Sequence, residues 1–249
     1  MKNIITAILI LIFTGMNGQD GVFKGKSILI YTRNGEGYVH DNIAASVEAL
    51  EEICASMDIR TKETDDPAIF EQKKLTDFDA IIFSNSNNEA FLNDRQRENF
   101  QAYIRSGKGF MAIHSANASE RDWVWYRQLV GGKFVRHPKL QSFDIRVIDG
   151  THLSTVHLPD VWKWEDEVYY SNHLNPAIHV LLAADLNTVK DNEKAEYPGE
   201  VFGDLFPLAW YHTFEGSRVF YTALGHKIEY YKDENFRNHL KGGIIWILH

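Results

Sequence analysis

An α/β protein with a mostly parallel sheet is what three features of this sequence predict. Short apolar runs, SILIYT at Ser27–Thr32, DAIIF at Asp79–Phe83 and GFMAI at Gly109–Ile113, read as strands buried on both faces. Segments of helical period separate these runs. From Gln141 the pattern loosens into a strand-rich half, which marks an insertion in an otherwise alternating strand–helix order.

The elements follow in order. After the first strand and a glycine-containing loop at Arg33–Val39, apolar residues Ile43, Val47, Leu50, Ile53 and Cys54 recur at helical spacing to about Met57. Asp58–Glu63 fits an edge strand. Asn93 is placed to cap a helix over Asp94–Arg105, whose Phe100, Tyr103 and Ile104 share one face and which Gly107 stops. A short aromatic helix over Asp122–Val130 ends at Gly131–Gly132. Phe143–Ile148 alternates like an exposed strand, and Val168–Tyr170, Ile178–Ala183, Pro207–Tyr211 and Arg218–Leu224 read as further strands. Asp191–Gly199 is polar, contains Pro198 and reads as a surface loop, and Phe236–Leu248 closes the chain as a helix. No internal repeat or linker-like stretch occurs, so residues 19–249 read as one domain.

Composition excludes several classes of function. The chain has 249 residues, a net charge of −8 and no sustained Lys/Arg run, which argues against a nucleic-acid partner held by phosphate contacts. Its one cysteine, Cys54, rules out an internal disulfide framework or a Cys-rich metal site. No G-x-G-x-x-G follows the first strand, so NAD is not expected. Lys2, the apolar run Ile4–Phe13 and the small or polar exit to Gly18 form a secretory signal pattern over residues 1–18, with cleavage near Gly18 or Gln19. That run is too short to span a bilayer, which takes roughly 20 apolar residues. The expectation is a periplasmic or secreted protein with no membrane span once the signal is removed. Oligomeric state stays open.

Polar residues cluster where the strands end. Ligands of open parallel sheets bind beyond the carboxyl ends of the strands. His40 follows the first strand, Asn85 the DAIIF run, His114 the GFMAI run, His212 the PLAWY run and His226 the last strand, so four of eleven histidines follow separate strands. Imidazoles converging on one cleft suit proton transfer near neutral pH or a divalent ion such as Zn²⁺. The spacing does not separate these, and His114, His212 and His226 are the metal candidates. Ser115 lacks the elbow glycines of an acyl-transfer nucleophile. In the looser half, His137, His157 and the segment WKWEDEVYY place Glu167 and Tyr169 among aromatic rings, a combination suited to sugars.

The segments ILIYTRNGEGYVHDNI, FDAIIFSNSNN, YIRSGKGFMAIHSAN, DWVWYRQLVGGKFVRHP, THLSTVHLP, DEVYY, PLAWYH and TALGH, in this order, resemble the ThuA-like (trehalose-utilisation) family. The resemblance implies the flavodoxin-like fold of class I glutamine amidotransferases, with helices on both faces of the sheet. In that family the amidotransferase cysteine is replaced at the elbow, which here is His114, so glutamine hydrolysis is not expected. It also implies sugar catabolism, including routes through 3-keto-disaccharides, with His40, His114, His137, His157, Glu167, Tyr169, His212 and His226 as the functional set. The resulting expectation assigns His114, Glu167, His212 and His226 to catalysis. His40, Asn85, His137, His157, Tyr169 and Trp210 would bind a small carbohydrate. The alternative is a non-catalytic carbohydrate-binding module using the same cleft.

Overall fold

A computed structural model describes residues 22–71, 73–193 and 203–249; the signal pattern and most of the Asp191–Gly199 loop lie outside them. Among the described residues, eleven strands and four α-helices follow the alternation expected from the sequence. They are β1 (Ser27–Tyr31), α1 (Ile43–Ala55), β2 (Arg60–Thr64), β3 (Ala80–Ser84), α2 (Asp94–Arg105), β4 (Gly109–Ile113), α3 (Val124–Val130), β5 (Lys133–Arg136), β6 (Gln141–Val147), β7 (Val161–Asp166), β8 (Tyr170–Asn172), β9 (His179–Asp185), β10 (Leu205–Phe214), β11 (Ser217–Thr222) and α4 (Glu234–Leu248).

Nine strands form one sheet in the order β2-β1-β3-β4-β11-β10-β9-β6-β7. The block from β2 to β11 is parallel, and β10 and β6 alone run against it, so seven of the nine strands share one direction. This is a mixed α/β fold with a large, mostly parallel sheet, consistent with the flavodoxin-like fold. β1, β3 and β4 are buried at every position, which is why they carry continuous apolar runs. From β1 the chain steps outward to β2 and then back across to β3, so the strand order reverses between β1 and β3.

Right-handed crossovers in opposite directions put helices on opposite faces. Phe100 of α2 and Tyr126 of α3 both pack on Phe83 of β3. On the other face α1 and α4 pack together, and Gly242 of α4 lies so close to Ser154 that an added Cβ would sit 2.3 Å from its backbone. Asn93 caps α2 by accepting the Gln96 N–H at 3.0 Å, as the sequence predicts.

The strand-rich half differs in detail from the sequence reading. β6 is not exposed: it lies between β9 and β7, with Phe143 and Ile145 buried. β7 and β5 arise from segments without a predicted strand, and β5 pairs only with β8 in a separate two-stranded ribbon. In β7, Trp162, Trp164 and Asp166 face inward while Lys163 is exposed, a period of two hidden within an acidic, aromatic stretch.

One buried histidine away from the cleft gives a pH prediction. His239 of α4 donates from Nδ1 to the Ser154 carbonyl at 2.9 Å, and burial lowers its pKa to about 3. An unfolded imidazole takes up its proton near pH 6.5, so between about pH 3 and 6.5 the unfolded state binds more protons. Stability is therefore lost as pH falls through that window. His239→Asn keeps an N–H for Ser154 and removes the titration. Chemical denaturation at several pH values should show a slope smaller by up to about 1.4 kcal/mol per pH unit; an unchanged profile contradicts this.

Candidate active site

The carboxyl ends of β1, β3, β4 and β11, around the β1/β3 reversal, carry His40, Asn85, His114 and His226 on the loops that follow them. Glu167 and Tyr169 arrive on the short link between β7 and β8, and His137 on the loop after β5. Of these, His40, His137, Glu167, Tyr169 and His226 line a cavity of about 320 Å³, at the small end of the usual range for small-molecule sites.

His114 sits at the sharp end of β4 with φ +53°, in the left-handed region, and opens a 3-10 turn over His114–Ala118. A strained strand-to-turn position of this kind projects its side chain beyond the sheet. Its Nδ1 lies 2.7 Å from the Ala223 carbonyl. A carbonyl can only accept, so Nδ1 carries the proton and Nε2 presents its lone pair. That lone pair faces the Tyr169 hydroxyl at 2.9 Å and His226 Nδ1 at 3.4 Å. Burial, then the neighbouring His40, holds the pKa of His114 well below the ordinary value, so the ring is neutral. His40 is lowered to about 4 by burial and then by His226. His226 is also lowered, first by burial and then by His137.

Glu167 lies between two imidazoles, with Oε1 3.3 Å from His137 Nδ1 and Oε2 3.2 Å from His226 Nδ1. Burial raises its pKa to about 7, and the nearby Tyr169 hydroxyl offsets part of the rise. The neighbouring Asp166 is fully buried and accepts the Glu167 N–H at 2.8 Å, the Gly225 N–H at 2.9 Å and the Trp164 indole N–H at 3.1 Å. Burial outweighs these bonds and raises its pKa to about 7 as well. Asp166 thus ties the strand that delivers Glu167 to the turn that delivers His226.

Other expected residues are placed differently. Asn85 is buried below the cleft, accepting from Asn42 at 3.1 Å and donating to the Tyr231 hydroxyl at 3.0 Å. Asn42 also donates to the carbonyls of Gly225 and His226, so Asn85 braces the His226 turn and does not line the cavity. His212 lies within β10, which runs against the parallel block, and pairs with Val219, itself level with Phe110 of β4. That is four residues below His114, roughly 13 Å along a strand. There His212 meets the Leu129 carbonyl at 2.8 Å, so it is separate from the cluster, and His40 takes its place beside His114 and His226. Trp210 is buried with its indole N–H on the Val130 carbonyl. His157 meets the Asn235 carbonyl beside α4.

The cavity also has walls outside the expected site set: Tyr38, Arg121 and Phe134, with Arg121 stacked 5.6 Å from the Phe134 ring centre. Tyr38 and Phe134 lie in the aromatic segments GYVH and GGKFVRH, which were a usable signal; Arg121 offered none. Ser115 lines the cavity, but its buried hydroxyl has no hydrogen-bond partner, so no imidazole activates it as a nucleophile. Cys54 is buried in α1, so the elbow has no thiol.

None of the curated proteins compared matches the chain. Among solved structures, a putative ThuA-like protein from Bacteroides uniformis is 20% identical and covers 94% of this chain and 95% of its own, with a TM-score of 0.71. A second, from Parabacteroides merdae, is 16% identical over 90% of each chain, with a TM-score of 0.69. A cytoplasmic protein of Salmonella typhimurium is 12% identical over 89% of this chain and 99% of its own, with a TM-score of 0.62. At these identities the likeness establishes the fold. The family model described as trehalose utilisation matches residues 27–247 and so takes in every residue of the cleft, and the chain belongs to the ThuA family, which ties it to carbohydrate metabolism.

Proposed function

We propose that this protein is an extracytoplasmic enzyme of sugar catabolism that acts on a carbohydrate bearing a carbonyl, such as a 3-keto-disaccharide, by proton transfer through Glu167. The observation that carries this reading is the Glu167 carboxylate, held 3.3 and 3.2 Å from two imidazoles at the wall of the cleft. Sugar binding alone needs amides, carboxylates and rings; a carboxylate between His137 and His226, with His40 and His114 beyond His226, suits proton movement. Export is supported by the signal pattern of residues 1–18.

A carbonyl acidifies the C–H beside it. Glu167 takes that proton, and the C–H electron pair moves into an enolate whose negative charge rests on the former carbonyl oxygen. Arg121, at the cavity wall, supplies positive charge for that oxygen. When the carbonyl re-forms, the electron pair shifts to a new C=C bond and the C–O bond on the next carbon breaks. The departing alkoxide takes the proton back from Glu167, so base and proton balance and no redox cofactor is consumed. The cavity rings of Tyr38 and Phe134 offer flat faces for the sugar.

The test is incubation of the chain from Gln19 onward with a 3-keto disaccharide and, separately, its unoxidised parent, followed by NMR. Consumption of the keto sugar alone is expected. If the keto sugar binds but neither sugar is consumed, the cleft is a binding module and this reading fails.

A further inference from the structure

We infer that His40, His114 and His226 form a binding site for a divalent transition-metal ion of the zinc class, open on its fourth side to the cavity. The inference deepens the proposed activity and rests on it only for the chemical role of the ion. One ring nitrogen from each histidine lies within 4.8 Å of the other two. His114 Nε2 and His226 Nδ1 are 3.4 Å apart, and two nitrogens bound at 2.0–2.1 Å to one tetrahedral ion are themselves separated by about 3.4 Å.

Two further observations point the same way. The proton of His114 is fixed on Nδ1 by the Ala223 carbonyl, which aims the Nε2 lone pair at the cluster. Histidine ligands commonly donate their other N–H to a backbone carbonyl in this manner. His40 is 6% exposed, and its buried Nδ1 has no hydrogen-bond partner. Its ring packs against those of Tyr38, His114 and His226. A buried imidazole nitrogen without a hydrogen-bond partner is unfavourable, and such a nitrogen is available as a ligand.

The donor set selects the ion. Imidazoles suit zinc, copper, iron and nickel, whereas calcium and magnesium want oxygen. Three protein ligands with one direction open is the pattern of catalytic sites and not of closed structural ones. His226 Nδ1 also lies 3.2 Å from Glu167, and it would hold the ion as the neutral tautomer whose proton sits on Nε2. The Tyr169 hydroxyl, which meets His114 Nε2 at 2.9 Å, must turn away. A bound ion would supply a Lewis acid for the carbonyl oxygen of the sugar.

The test is titration of chelator-treated protein with Co²⁺ and then Zn²⁺, read by visible absorption. One equivalent of Co²⁺ should give the bands of a four- or five-coordinate site, and Zn²⁺ should remove them. His40→Ala and His226→Ala should each weaken binding at least 100-fold, since loss of an outer-shell partner alone costs about 10–100-fold. His157→Ala, outside the cluster, should bind as the wild type does. Circular dichroism checks folding, and half-buried His226 is the safer site should His40→Ala fail to fold. No cobalt spectrum at one equivalent, or binding unchanged in His226→Ala, overturns the site. Turnover of keto sugar by metal-free protein overturns the ion's role and leaves the proposed activity standing. Metal binding as expected without any turnover sinks the activity and not the site.

Discussion

Glu167→Gln should lower turnover of a keto sugar by 10²–10⁴-fold while leaving its binding within a few-fold of wild type, the range expected when a general base is removed. Glutamine has the same shape and keeps an oxygen acceptor, so cleft geometry and hydrogen bonding to one imidazole survive, but an amide cannot take a proton. Steady-state kinetics with calorimetric binding separates these effects. Loss of affinity with kcat preserved would mean that Glu167 only holds hydroxyls. A general base acts on the transition state, so its loss appears in kcat and kcat/KM together.

The largest stability effect is expected at Asp166. Asp166→Ala removes the acceptor for the Glu167 and Gly225 backbone N–H groups and for the Trp164 indole N–H, all in a buried site. Each orphaned buried donor costs about 1–3 kcal/mol, partly offset because burial of the carboxyl is itself unfavourable. A net loss of about 3 kcal/mol should lower the melting temperature by on the order of 10 °C. Asp166→Asn, which keeps one carbonyl oxygen, should recover part of this. For comparison, Arg105→Ala breaks the exposed Arg105–Glu215 pair and should cost no more than about 1 kcal/mol. If Asp166→Ala melts together with wild type, Asp166 does not join the two loops.

The parallel half of the sheet was legible because burial on both faces forces continuous apolar runs at β1, β3 and β4, and α2 because Asn93 marks its start. β5 and β7 were not, since Lys133–Arg136 is too short to show a period and the WKWED alternation is masked by its charges. The error over His212 has one cause. A residue after an apolar run faces the cleft only if the strand runs with the parallel block, and β10 does not. Strand direction is a property of the whole sheet, invisible in PLAWYH itself. His40, His114 and His226 were legible by the same rule because their strands do run that way. The convergence of Glu167 and His137 on them depends on the β6/β7 and β5/β8 pairings, both long-range. Asp166 was passed over beside Glu167: adjacent carboxylates look alike in sequence, and only their opposite orientation separates a brace from a proton acceptor.

The most direct test of the account follows the C–H bond beside the carbonyl. Wild type and Glu167→Gln would each be incubated with a 3-keto disaccharide in deuterated water and followed by proton NMR. Wild type should erase the signal of that proton at least as fast as product forms. Glu167→Gln should do so at least about 100-fold more slowly. Products that form while the proton on that carbon is retained would contradict proton abstraction by Glu167.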